Sequence, residues 1–133
     1  MYSIKKVIHF SYGHRLLNYQ GKCAHLHGHN GKVEIEVSAQ ALDSQGMVVD
    51  FYEIRKKLGD WIDQNLDHRM ILSEKDPYAA ILKQAGDPVV TIPENPTAEA
   101  LAKRIFEAAR KHGLAVTKVT LWETDHCAAG YEG

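Results

Sequence analysis

Between Lys32 and Ala39 the chain alternates without a break. Val33, Ile35, Val37 and Ala39 fall on one side; Lys32, Glu34, Glu36 and Ser38 fall on the other. A period of two gives a strand with one apolar and one charged face, as in the half-buried strands of antiparallel sheets. Such a face has to be covered, which limits the chain to layered architectures. The N-terminal segment carries a weaker version of the pattern. Ile4, Ile8, Phe10, Tyr12 and His14 share parity there, with Lys6 the exception, and the two segments are expected to pair as a hairpin.

The covering layer is legible as two amphipathic helices. Asp50 is a good N-cap, with Glu53 three residues on, and Phe51, Ile54, Leu58, Trp61, Ile62 and Leu66 form an apolar stripe ending near Asp67-His68. Thr97 caps the second helix, Leu101, Ile105 and Ala108 face inward, and Gly113 stops it. Asp43 to Gly46 reads as a turn. Between the helices the pattern is poor, with a short helix over 77–84 and a short strand over 89–92. Val116 to Glu123 alternates again, and a final strand includes Tyr131. The expected fold is therefore α+β: an antiparallel four-stranded sheet with two helices packed on one face, the 133 residues forming one domain.

The net charge of −1 argues against a protein built to neutralise nucleic-acid phosphates. No signal peptide or membrane span is recognisable, so a cytoplasmic location is expected, with Cys23 and Cys127 as free thiols.

The stretch Gly21 to Asn30 holds one cysteine and three histidines. His27 and His29, two apart, share a strand face, and His14 ends the neighbouring strand with the parity of Phe10 and Tyr12. Three imidazoles from two paired strands can converge, and three neutral imidazoles with an open position are the pattern of a catalytic zinc site. The alternative is a loop of surface histidines. Cys23 is either a fourth ligand or a group acting beside the ion, and His25 is a competing ligand. Asp67-His68 is either an oriented acid/base pair or a histidine at a helix C-terminus. Glu123, on the face of Val119 and Leu121, either reaches solvent or meets a partner able to give two parallel hydrogen bonds. Glu99 lies in a first helical turn, where negative charge is favoured in any case.

Taken in order, Phe10-x-x-x-His14-Arg15-Leu16, Lys22-Cys23-x-x-x-His27-Gly28-His29-Asn30, Gly46 to Phe51, Leu66-Asp67-His68, Asn95-Pro96-Thr97-x-Glu99 and Glu123-Thr124 carry a resemblance. The chain resembles the 6-pyruvoyl-tetrahydropterin synthase / 6-carboxy-tetrahydropterin synthase family over nearly its whole length. The three residues between Cys23 and His27 lean towards the prokaryotic carboxy-tetrahydropterin branch, as do Asp50-Phe51 and Asn95-Pro96-Thr97. Ala24 after Cys23 argues against the folate-linked variant, which has a glutamate in this loop. The resemblance implies the tunnelling fold, assembled in trimer rings and usually hexamers. It implies Zn²⁺ on His14, His27 and His29, and Cys23 as catalytic base supported by Asp67 and His68, across a subunit boundary. It further implies a pterin anchored by Glu123 with Thr97 and Glu99, and Arg15 and Lys22 as triphosphate contacts.

The implied reaction takes 7,8-dihydroneopterin triphosphate to 6-carboxy-tetrahydropterin, acetaldehyde and triphosphate, in queuosine biosynthesis. A 6-pyruvoyl-tetrahydropterin synthase, or a non-catalytic zinc- and pterin-binding protein, is the alternative. Two positions depart from the family: Tyr12 stands where small residues are usual, and Ala100 where asparagine is frequent. The tyrosine either narrows the pocket or points away from it.

Overall fold

The computed structural model describes residues 1–133. Strands β1 (Tyr2–His14) and β2 (His27–Ala39) form the long hairpin, paired without slippage from Tyr2 opposite Ala39 to His14 opposite His27. Alternation decides which side chains are buried. Ile8, Phe10, Tyr12 and His14 of β1 and Val33, Ile35 and Val37 of β2 lie under the helices, while Lys32, Glu34 and Glu36 take the other face.

The covering helices follow. The first runs through α1 (Phe51–Ile54), a π-helical turn (Arg55–Gly59) and α2 (Asp60–Asn65). Asp50 caps it, accepting a hydrogen bond from the Tyr52 amide at 2.9 Å. Ile54, Leu58 and Ile62 are fully buried, but Phe51, expected in the same stripe, is 50% exposed. Then come β3 (Arg69–Ser73), α3 (Tyr78–Gln84), β4 (Val89–Ile92), α4 (Ala98–Lys111), β5 (Val116–Trp122) and β6 (Ala128–Glu132). Helix α4 presents Leu101, Ile105 and Ala109 to the same core, and Gly113 at φ 84° ends its exit turn. That left-handed conformation is one glycine adopts without strain.

The α+β class agrees with expectation, but the strand and helix counts do not. The sheet has six strands in the order β4-β3-β1-β2-β5-β6, not four, and it is mixed. β3 pairs parallel to β1 and β4 parallel to β3, whereas β2, β5 and β6 are antiparallel to their neighbours. β3 has no alternation to find because Ile71, Leu72 and Ser73 are all buried. A strand covered on both faces reads as a continuous apolar run, which periodicity cannot distinguish from a helical fragment. A third helix, α3, packs on β3 and β4. No helix is long and apolar enough to cross a membrane.

Candidate metal centre

The hairpin register fixes the centre. His14 faces His27 directly, and His29 stands two residues further along β2, opposite Tyr12. Period two puts all of them on the helix-covered face. The three imidazoles lie 4.5 to 5.1 Å apart between ring centroids, and each offers a ligand atom within 4.8 Å of the others. Tetrahedral zinc–nitrogen bonds of about 2.0–2.1 Å would bring ligand nitrogens to about 3.4 Å, so a small inward rotation completes the fit.

Hydrogen bonding sets the tautomers. His14 Nδ1 is 2.6 Å from the Pro96 carbonyl oxygen, and His27 Nδ1 is 2.7 Å from that of His25. A carbonyl only accepts, so the proton sits on Nδ1 and the Nε2 lone pair is free in both rings. His14 Nε2 and His29 Nε2 are buried without a hydrogen-bond partner. Burial of His14, reinforced by its histidine neighbours, pushes its imidazole below the ordinary value; the Pro96 carbonyl and Glu123 pull less strongly the other way. A buried neutral imidazole with an orphaned lone pair suits a metal ligand, and the donor set fits a divalent ion with an open position. Glu123, just past β5, lies with Oε2 2.9 Å from His29 Nε2 and 3.9 Å from His14 Nε2. The 2.9 Å approach does not have hydrogen-bond geometry.

The segment Asn95 to Thr97 supports the centre in ways its spacing did not reveal. Pro96 orients His14. Asn95 clasps the chain after β1, its Oδ1 accepting from the Leu17 amide at 2.9 Å and its Nδ2 donating to the Leu17 carbonyl at 3.1 Å. Thr97 Oγ1 accepts from the Ala100 amide at 3.1 Å and so caps α4. Glu99 is exposed in the first turn of that helix.

Cys23 sits in the short turn Lys22–Ala24, whose backbone is tied to β1 by the Leu16 amide donating to the Cys23 carbonyl at 2.8 Å. Its thiol is outside the converging ligand group, as is His25. Lys22 is exposed. Arg15 is bound into the structure: Nε and Nη2 donate to the two Asp76 oxygens at 2.7 and 2.6 Å, and the guanidinium lies 3.5 Å from the Tyr78 ring centroid. That bidentate pair holds Asp76 below the usual carboxylate range and leaves Arg15 little capacity for a phosphate. Asp76 had no signal in the sequence, being 61 residues from its partner.

Asp67 and His68 form a built pair. Asp67 Oδ1 accepts from the Ser11 amide and its Oδ2 lies 2.9 Å from His68 Nδ1. Burial would raise the Asp67 pKa, but the Ser11 and His68 hydrogen bonds outweigh it and hold it low. His68 adopts φ 57° and its side chain is 81% exposed. It borders a cleft of about 580 Å³ floored by Ser11, Gly13, Gly28 and Asn30. Tyr12, His27 and His29 line the same cleft, so His68 and two of the three converging histidines border one space.

Fold and centre together define a small α+β protein with a three-histidine site at the end of a hairpin. Residues 3–133 match the family model described as 6-pyruvoyl tetrahydropterin synthase, and the chain belongs to that family. It is 37% identical over 130 residues to the 6-carboxy-5,6,7,8-tetrahydropterin synthase of Rickettsia bellii, covering 90% of this chain and 92% of that one. It is 33% identical to the Aquifex aeolicus protein of the same name, with 98% of each chain covered. Among solved structures it is similar to the 6-pyruvoyl tetrahydropterin synthase of Caenorhabditis elegans, at TM-score 0.74 and 25% identity, covering 99% and 95% of the two chains.

Proposed function

We propose that this chain is a zinc-dependent 6-carboxy-5,6,7,8-tetrahydropterin synthase. It would take 7,8-dihydroneopterin triphosphate and water to 6-carboxy-tetrahydropterin, acetaldehyde and triphosphate, in the cytoplasm, as a step of queuosine biosynthesis. The observation that carries this reading is the set of three converging imidazoles, two of them with Nδ1 bonded to a backbone carbonyl and Nε2 left as the ligand nitrogen. Relatives bearing the 6-carboxy name supply the branch.

His14, His27 and His29 would hold the zinc, which when bound supplies Lewis acidity to the hydroxyl oxygens of the substrate side chain. Cys23 moves a proton at the side-chain carbon. Its place outside the ligand group favours a base beside the ion over a fourth ligand. His68, oriented by Asp67, moves a proton on or off oxygen. Its exposure favours service to a site completed by another copy of the chain. That fits a trimer ring or hexamer. Glu123 is the pterin anchor, because a carboxylate accepts two parallel hydrogen bonds from a guanidine-like edge. Thr97 and Glu99 contribute through the placement of α4. Lys22, exposed beside Cys23, remains a triphosphate contact; Arg15 is not assigned one, because Asp76 holds it.

Product analysis tests the reading. Incubation with 7,8-dihydroneopterin triphosphate should release acetaldehyde and 6-carboxy-tetrahydropterin. Conversion without acetaldehyde would identify a 6-pyruvoyl synthase, the reading that the family description favours. No conversion by zinc-loaded protein would leave a binding protein. Cys23→Ala should keep its zinc and lose turnover; if it loses the metal instead, Cys23 is a ligand.

A further inference from the structure

Tyr12 has no part in the roles assigned so far, yet it lies within the centre. It is 4% exposed, and its hydroxyl is buried without any hydrogen-bond partner. An unpaired buried hydroxyl costs stability until a partner reaches it. The ring stacks on Phe10 at 5.1 Å and packs against His14 and His29 at 5.2 and 5.7 Å. Gly31 makes room for it: a Cβ there would lie 3.0 Å from Tyr12 Cε1. The ring lies over Gly31 of β2, next to Leu121 of β5. Pairing of Lys32 with Trp122 places Glu123 one step further along, beside Gly31. A tyrosine hydroxyl carries its proton at neutral pH and so is available as a donor.

Glu123 in turn depends on the state of the histidines. Its Oε2 is 2.9 Å from His29 Nε2. An imidazole nitrogen that ligates an ion has no proton for a carboxylate, so a metal-bound His29 cannot become the partner of Glu123. The Tyr12 hydroxyl is an unpaired donor on the same face of the hairpin, its ring packed against His29.

We propose that Tyr12 is a positioning residue for Glu123: with an ion on His14, His27 and His29, the Tyr12 hydroxyl donates to the Glu123 carboxylate, a hydrogen bond that is not made without the ion. The inference rests on the histidines being a metal centre and on no particular reaction. Position 12 then tunes the centre through Glu123, and the Tyr12–Gly31 pair is the steric condition for it.

The test is zinc affinity by chelator competition in wild type, Tyr12→Phe, Glu123→Ala and the double variant, with near-ultraviolet tyrosine difference spectra on zinc addition. Tyr12→Phe keeps the ring and its packing. It should weaken zinc binding about tenfold, the scale of one hydrogen bond to a charged group. In the Glu123→Ala background the same change should have almost no effect. Zinc should also produce a red-shifted tyrosine difference signal that Tyr12→Phe abolishes. Unchanged affinity in Tyr12→Phe, an equal loss in both backgrounds, or a signal surviving in Tyr12→Phe would each overturn the inference while leaving the metal centre standing. A wild-type protein that binds no zinc would overturn both.

Discussion

The Pro96 carbonyl decides which nitrogen of His14 carries the proton, and Asn95 decides where that carbonyl sits relative to the end of β1. Partners of this kind are worth about 10–100-fold in metal affinity. Asn95→Ala should therefore weaken zinc binding by about tenfold while keeping zinc stoichiometry, as chelator competition would show. Asp76 is a second residue whose role is positional. Its side chain is fully buried against Arg15, so Asp76→Ala strands a guanidinium and should cost about 3 kcal/mol, read from the urea midpoint. The pH dependence follows in sign. Arg15 lowers the folded-state pKa of Asp76 below its unfolded value of about 3.9, so the pair stabilises fully above that value. The contribution is lost as pH falls through the folded-state value. The urea midpoint of wild type should fall on acidification in this range more steeply than that of Asp76→Asn.

At the scale of elements, legibility followed exposure. The hairpin strands announced themselves because one face meets water, and Asp50 and Thr97 announced the helix starts because caps have few substitutes. β3 did not, being covered on both sides, and with it went the parallel half of the sheet. The three metal histidines were readable because a period of two carries them to one face. Their supports were not, since the Pro96 carbonyl is backbone and the Arg15–Asp76 pair spans 61 residues. Thr97 was expected both as the cap of α4 and near the substrate, and its hydroxyl oxygen does cap α4. Thr97→Ala should lower stability by about 1 kcal/mol and Thr97→Ser should restore it, both measured by thermal unfolding.

For the whole molecule, the position of the Asp67–His68 pair has a direct consequence. His68 is exposed at the rim of the cleft that His27 and His29 also line, which leaves it free to serve a site shared with a second copy of the chain. Cys23→Ala and His68→Ala should each be inactive alone. Mixed, unfolded and refolded together, they should regain activity, because some sites in hybrid rings combine an intact cysteine with an intact histidine. Persistent inactivity of the mixture would place all three groups in one protomer.

The most direct test of the central claim is zinc content per chain, measured by elemental analysis on wild type and on His14→Ala, His27→Ala and His29→Ala. The account expects one tightly held zinc in wild type and its loss in each variant, with folded structure retained by circular dichroism. Full zinc occupancy retained in the three variants, or a wild type that holds no zinc, would contradict it.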